Sequence, residues 1–120
     1  MQVMALIYGD GSRWDSLSGE EREAIYDRYR AFADEARTAG VMLGGEELAS
    51  TRDATTVRVR GDETLVTDGP YAEVKEALGG YFIFECESMD EAIEYAARIP
   101  GAETGAIEVR PIYVDEEAQR

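Results

Sequence analysis

The sequence predicts an α+β domain in which two helices lie on one face of a mainly antiparallel sheet. Three observations lead there. Two stretches carry apolar residues at helical spacing, each behind a Ser-x-x-Glu start; short apolar or alternating runs flank both; and turn residues separate these segments. A chain of 120 residues has room for one such domain, residues 1–120, and none for a second of ordinary size.

Each element follows from local pattern. Residues 3–8, VMALIY, form a continuous apolar run ended by Gly9-Asp10-Gly11, which predicts a strand buried on both faces. A loop follows and holds the sole tryptophan, Trp14. Ser18-Gly19-Glu20-Glu21 has the spacing of a capping box, and Ile25, Tyr29, Phe32 and Ala36 then mark one face of a helix over residues 19–39, with Gly40 at its C′ position. Residues 41–43 and 46–49 read as a strand interrupted at Gly44-Gly45, the place for a bulge.

Residues 56–60, TVRVR, alternate and turn at residues 61–63 into residues 64–67. This predicts a hairpin with Arg58 and Arg60 on its solvent face. A long connection from Asp68 to Leu78 leads to residues 80–85, GYFIFE, a second strand with apolar residues on both faces. Ser88-Met89-Asp90-Glu91 repeats the capping box, and Met89, Ile93, Ala96 and Ile99 mark the buried side of a second helix stopped by Pro100-Gly101. Residues 106–114 form the last strand and residues 115–120 a polar tail. The order is ferredoxin-like βαββαβ with an inserted hairpin.

Two helices cover only one face of such a sheet. Met4, Leu6 and Tyr8 alternate with Val3, Ala5 and Ile7, and GYFIF is equally two-sided, so the second face also needs cover. A second copy of the chain supplies it most simply, which predicts a homodimer with sheets face to face.

Composition excludes several classes. Asp and Glu number 26 against 12 Lys and Arg, a net charge of −14, which argues against nucleic acid and anionic membranes as partners. No apolar run approaches the roughly 20 residues of a membrane span, and the opening MQVMALIYGDG reads as a strand rather than a signal peptide. One cysteine, Cys86, forbids an internal disulfide and fits a cytoplasmic location; its neighbours Glu85 and Glu87 would raise its pKa. There is no histidine, which removes Ser-His-Asp and Cys-His catalysis and most zinc sites. No nucleotide-binding or metal-ligand spacing is present, so no cofactor and no metal are expected; a carboxylate site from Asp68, Glu73 and Glu46 is the only arrangement to consider.

Residues 67–76, TDGPYAEVKE, followed by Leu78-Gly79-Gly80-Tyr81, resemble the YCII-related family, in particular its branch named for a DGPF motif. The resemblance extends to LIYGD at residues 6–10, Trp14, Gly44-Gly45-Glu46, residues 55–60, Asp90-Glu91-Ala92 and residues 108–111. It implies a dimeric ferredoxin-like α+β barrel and distant kinship with muconolactone-isomerase-type enzymes. Members are often encoded beside extracytoplasmic-function sigma factors, which implies a regulatory role as readily as a catalytic one. Two positions depart from the pattern. Tyr71 stands where the motif has Phe, and the His of the His–Asp pair ascribed to the better-studied branch has no counterpart, leaving Asp68 alone as its Asp half.

Asp68 begins an Asp-Gly-Pro turn and either hydrogen-bonds its own backbone or is held at the barrel mouth as an acid or base, its pKa raised by Tyr71 and Trp14. Lys75 either joins Glu73 and Glu76 in a solvated ion-pair cluster or stabilises a developing enolate or a substrate carboxylate. Glu46, re-aimed by the preceding glycines, is the second candidate carboxylate. Tyr8, Trp14, Tyr71, Glu73 and Tyr81 are candidates to line or flank a cavity, and Arg110 could reach an anionic ligand. The leading expectation is a dimer that binds a small organic molecule at each barrel end, with isomerase- or lyase-type proton transfer. The rival is a non-enzymatic ligand sensor or regulatory module.

Overall fold

The computed structural model describes residues 1–115, and the predicted polar tail lies, beyond Asp115, outside the described residues. In chain order the main elements are β1 (Gln2–Gly9), α1 (Gly11–Asp15), α2 (Gly19–Thr38), β2 (Met42–Glu47), β3 (Thr55–Arg60), β4 (Glu63–Asp68), β5 (Ala77–Glu85), α3 (Met89–Arg98) and β6 (Ala106–Pro111). Four strands form one sheet in the order β2-β5-β1-β6, with every neighbouring pair antiparallel. Helices α2 and α3 join these strands in the ferredoxin-like manner. Strands β3 and β4 pair with each other as a separate two-stranded sheet.

Both long helices begin where the sequence places them. The Ser18 hydroxyl accepts from the Glu21 N–H at 3.1 Å, and the Glu21 carboxylate accepts from the Ser18 N–H at 2.9 Å. Ser18 thus satisfies a donor that the first turn cannot pair internally. The Ser88 hydroxyl does the same for the Glu91 N–H at 3.2 Å. Gly40, with φ +75°, ends α2 in a conformation that residues with a Cβ rarely adopt.

Register decides which side chains meet the helices. Val3 opposes Phe84 and Ala5 opposes Phe82, and these pack beneath Phe32, Ala36, Ala92 and Ile99. Phe82 stacks on Phe84 at 6.0 Å and meets Phe32 at 5.4 Å. On the other face Met4 opposes Ile83 and Leu6 opposes Tyr81, all four only partly covered. Gly45 lets β2 approach β5 here: a Cβ would lie 2.5 Å from the Phe82 ring and from the Tyr81 carbonyl oxygen.

Several expectations are corrected. The loop after β1 contains the short helix α1, because Asp10 accepts from the Ser12 N–H at 2.9 Å and caps it. The irregularity in β2 falls at Leu43, between Met42 and Gly44, one residue before the glycine pair. In α3, Ala92 and Ala96 are buried and Ile93 is 52% exposed. Met89, Ala96 and Ile99 lie on the core side as expected, and Ala92 takes the place of Ile93 between them. On the hairpin Arg60 is exposed as expected, but Val57 and Val59 are exposed too, while Arg58 is half-buried and lies over the Tyr71 ring. Alternation fixes that the two sets face apart but not which one faces out. The last strand ends at Pro111, short of residue 114.

Phe84→Ala should cost about 3–5 kcal/mol in urea denaturation, whereas Ile93→Ala should stay within about 0.5 kcal/mol. A second expectation concerns acid. The Ser18 backbone N–H, then its hydroxyl, holds Glu21 below its ordinary 4.5, and the paired Arg28 guanidinium, at 3.0 Å from one nitrogen, does so for Glu103. Folded-state values below unfolded ones mean stabilisation that is complete above the unfolded carboxylate range and lost as pH falls through the folded values. Glu21→Gln and Glu103→Gln should therefore each flatten the acid limb of a stability-versus-pH curve and leave its neutral plateau's shape unchanged.

Candidate functional site

At one end of the sheet, β1 leaves at Tyr8, β2 has just ended before Leu48, and β5 begins at Ala77 and Leu78. Tyr8 opposes Leu78 across a register shift, so β5 bulges where it enters the sheet. The Leu48 N–H donates to the Gly79 carbonyl at 2.9 Å and fixes the far edge. The long connection closes over this end: a single 3-10 turn at Thr51–Asp53 on one side, Pro70 to Glu76 on the other. Between them runs a groove of about 490 Å³, the size that small organic ligands occupy. Its walls are chiefly apolar, from Tyr8, Leu48, Pro70, Tyr71, Val74 and Leu78, and the polar residues Ser50, Thr51, Asp53 and Glu76 also border it.

The Asp-Gly-Pro turn is anchored through its backbone. The Gly69 N–H donates to the Ala54 carbonyl at 2.8 Å, and the Thr56 hydroxyl donates to the Gly69 carbonyl at 2.8 Å. Gly69 adopts φ +103°, open to glycine alone at low cost. These bonds hold Pro70 and Tyr71 at the groove, with the Arg58 guanidinium 5.4 Å from the centre of the Tyr71 ring. Tyr71 remains 80% exposed, so the groove is open above it.

The sequence-predicted residues divide into groups. Tyr8 and Tyr71 stand in the groove. Lys75 lies between the lining residues Val74 and Glu76 and is exposed. Asp10 is held below its ordinary 3.8 first by the Ser12 hydroxyl, at 2.6 Å, with Lys75 a lesser contributor. Glu73 is exposed in the same segment.

Glu46, Tyr81 and Arg110 fall on the open face of the sheet. Glu46 opposes Tyr81, Tyr81 opposes Leu6, and Leu6 opposes Glu108, to which Arg110 is ion-paired along β6. Trp14 meets Tyr26 of α2 edge-on at 5.4 Å, and Arg22 lies over its ring while donating to the Trp14 and Asp15 carbonyls. The tryptophan therefore staples α1 to α2 and is not part of the groove lining. Asp68 ends β4 opposite Thr55, exposed and outside that lining. Among the described residues no three acidic or thiol side chains stand close enough to hold a metal ion, so Asp68, Glu73 and Glu46 do not gather into a site.

Leu48, Val74, Leu78 and the inward turn of Arg58 are the parts of this site that sequence reasoning missed. Pro70 belongs to the motif and Leu78 follows it, yet nothing in their spacing says that both line one groove.

A family model of the YCII-related domain matches residues 1–115. An uncharacterised protein of Rhizobium meliloti (strain 1021) is 37% identical over 114 residues, covering 93% of this chain and 92% of that one. Among solved structures, 5-chloro-2-hydroxyhydroquinone dehydrochlorinase from Burkholderia phenoliruptrix AC1100, in complex with 2,5-dihydroxybenzoquinone, is similar with a TM-score of 0.51 at 16% identity, over 98% of each chain. That likeness bears on the fold.

Cys86 is buried in the core beside α3, and its thiol pKa is raised above 9.0 first by burial and then by the charge of Glu91. Glu85, expected from the sequence to act, contributes less than Glu91 of the helix. Iodoacetamide at neutral pH should leave Cys86 unlabelled in the folded protein and label it on addition of urea, as read by mass spectrometry.

Proposed function

The chain belongs to the YCII-related domain family, and we propose on that premise that it binds a small organic molecule in the groove below Tyr71. The observation that carries this reading is the groove itself: apolar walls of ligand size, built by the connection that holds the Asp-Gly-Pro turn. That turn also favours the DGPF branch of the family. Tyr8 and Tyr71 offer ring faces to a flat ligand, the Ser50 and Thr51 hydroxyls offer hydrogen bonds, and Lys75 offers positive charge to an anionic group. The working form is a homodimer with sheets face to face, supported by Met4, Leu6 and Ile83, which the chain's own helices leave partly uncovered.

Lyase- or isomerase-type proton transfer would use a carboxylate or a tyrosine at the ligand. Asp53 and Glu76 border the groove, whereas Asp68 is displaced from it along β4. This displacement favours a second reading, ligand sensing without turnover.

Thermal-shift measurements with hydroxylated benzoquinones, hydroxyquinols and lactones should find a compound that stabilises the wild type, by about 2.7 kcal/mol at a hundredfold excess over Kd. Tyr71→Ala and Lys75→Ala should each reduce that shift. Turnover of the same compound, lost in Asp68→Asn, Asp53→Asn or Glu76→Gln with binding retained, would support the enzyme; binding without turnover would support the sensor. A shift that survives in both Tyr71→Ala and Lys75→Ala would remove the groove as the site.

A further inference from the structure

The β3–β4 hairpin is an unusual structure for a chain to leave by itself. A lone two-stranded hairpin is marginal in water and needs a further strand or a packed face to hold it. Here the register puts Val57 opposite Val66 and Val59 opposite Thr64, with Thr55 and Asp68 at the foot of the same face. That face points away from the Tyr71 side, where Arg58 lies, and its three valines are 60–64% exposed. The chain as a whole is also more extended than its length requires. The radius of gyration is 16.7 Å, against about 13–14 Å for a compact chain of this length.

We propose that this hairpin is an exchange arm, whose valine face is buried against a second copy of the same chain while that copy's arm is buried in return. The inference rests on the dimer proposed above and adds the arm to its interface. Area argues for mutual exchange. Stable interfaces bury about 1,200–2,000 Å² in total, more than one face of three valines can supply, whereas a two-fold arrangement uses both arms together with both open sheet faces. Asp68 shares the valine face and enters the same interface, so each copy supplies this carboxylate to a surface that the single chain leaves unfinished.

Sedimentation velocity across a wide concentration range tests the arm. The wild type should be a dimer, and Val57→Asp/Val66→Asp should weaken association by about 100-fold or more, ~2.7 kcal/mol. Ile93→Asp, an exposed apolar position on α3, should leave association unchanged. Hydrogen exchange on the wild type covers the case in which the double variant loses the hairpin itself: amides of residues 55–68 should exchange faster as the protein is diluted through its dissociation range. A monomeric wild type overturns the proposal together with the dimer it rests on. A double variant that dimerises like the wild type overturns the arm alone and leaves sheet-to-sheet pairing standing. Exchange in the hairpin that is independent of concentration overturns the arm as well.

Discussion

Two helices cannot cover both faces of a four-stranded sheet, and the two central strands of this sheet are apolar on both. Much else in the structure follows from that mismatch. On the helix side, small residues at Ala5, Ala36, Ala92 and Ala96 let α2 and α3 settle closely around Phe32, Phe82 and Phe84. On the open side, Met4, Leu6, Tyr81 and Ile83 form a continuous patch bordered by Glu46 at one edge and the Glu108–Arg110 pair at the other. A patch with a charged rim has the anatomy of an interface, in which apolar area supplies the energy and rim charges set orientation.

The groove has its origin in topology. Strands β2 and β5 are hydrogen-bonded antiparallel neighbours, and a tight turn would suffice to join them, yet residues 48–76 intervene. Lengthening a surface connection costs little entropy, since closure grows only with the logarithm of its length. The insertion can therefore be kept for what it builds: its two ends wall the groove and its middle forms the hairpin. Thr56 and Gly69 tie those parts together, so a change in the position of the hairpin would be felt at Pro70 and Tyr71.

The parts legible in the sequence are those set by nearest neighbours. Both helix starts lie where Ser18 and Ser88 place them, and the two-sided runs VMALIY and GYFIF occupy the central strands. What was not legible depends on which neighbour a residue meets across the fold. Arg58 and Val57 alternate unambiguously, but only the position of Tyr71 makes the arginine side the inner one. Trp14 in a polar segment suggests a pocket; Tyr26 of α2 and the Arg22 guanidinium claim it instead.

The absence of histidine sharpens the question of chemistry. Proton transfer near neutral pH then falls to carboxylates or tyrosines, and a carboxylate serves well as a base or acid there only when it is desolvated or set beside another charge. Asp68 lies on a strand that the described residues of its own chain leave exposed, so desolvation calls for a further surface. The exchange arm supplies such a surface, because Asp68 and the valines share one face. Catalysis by Asp68 and burial of the arm are thereby coupled: an Asp68-dependent reaction would require the dimer, whereas ligand binding in the groove, walled by one chain's own residues, would not.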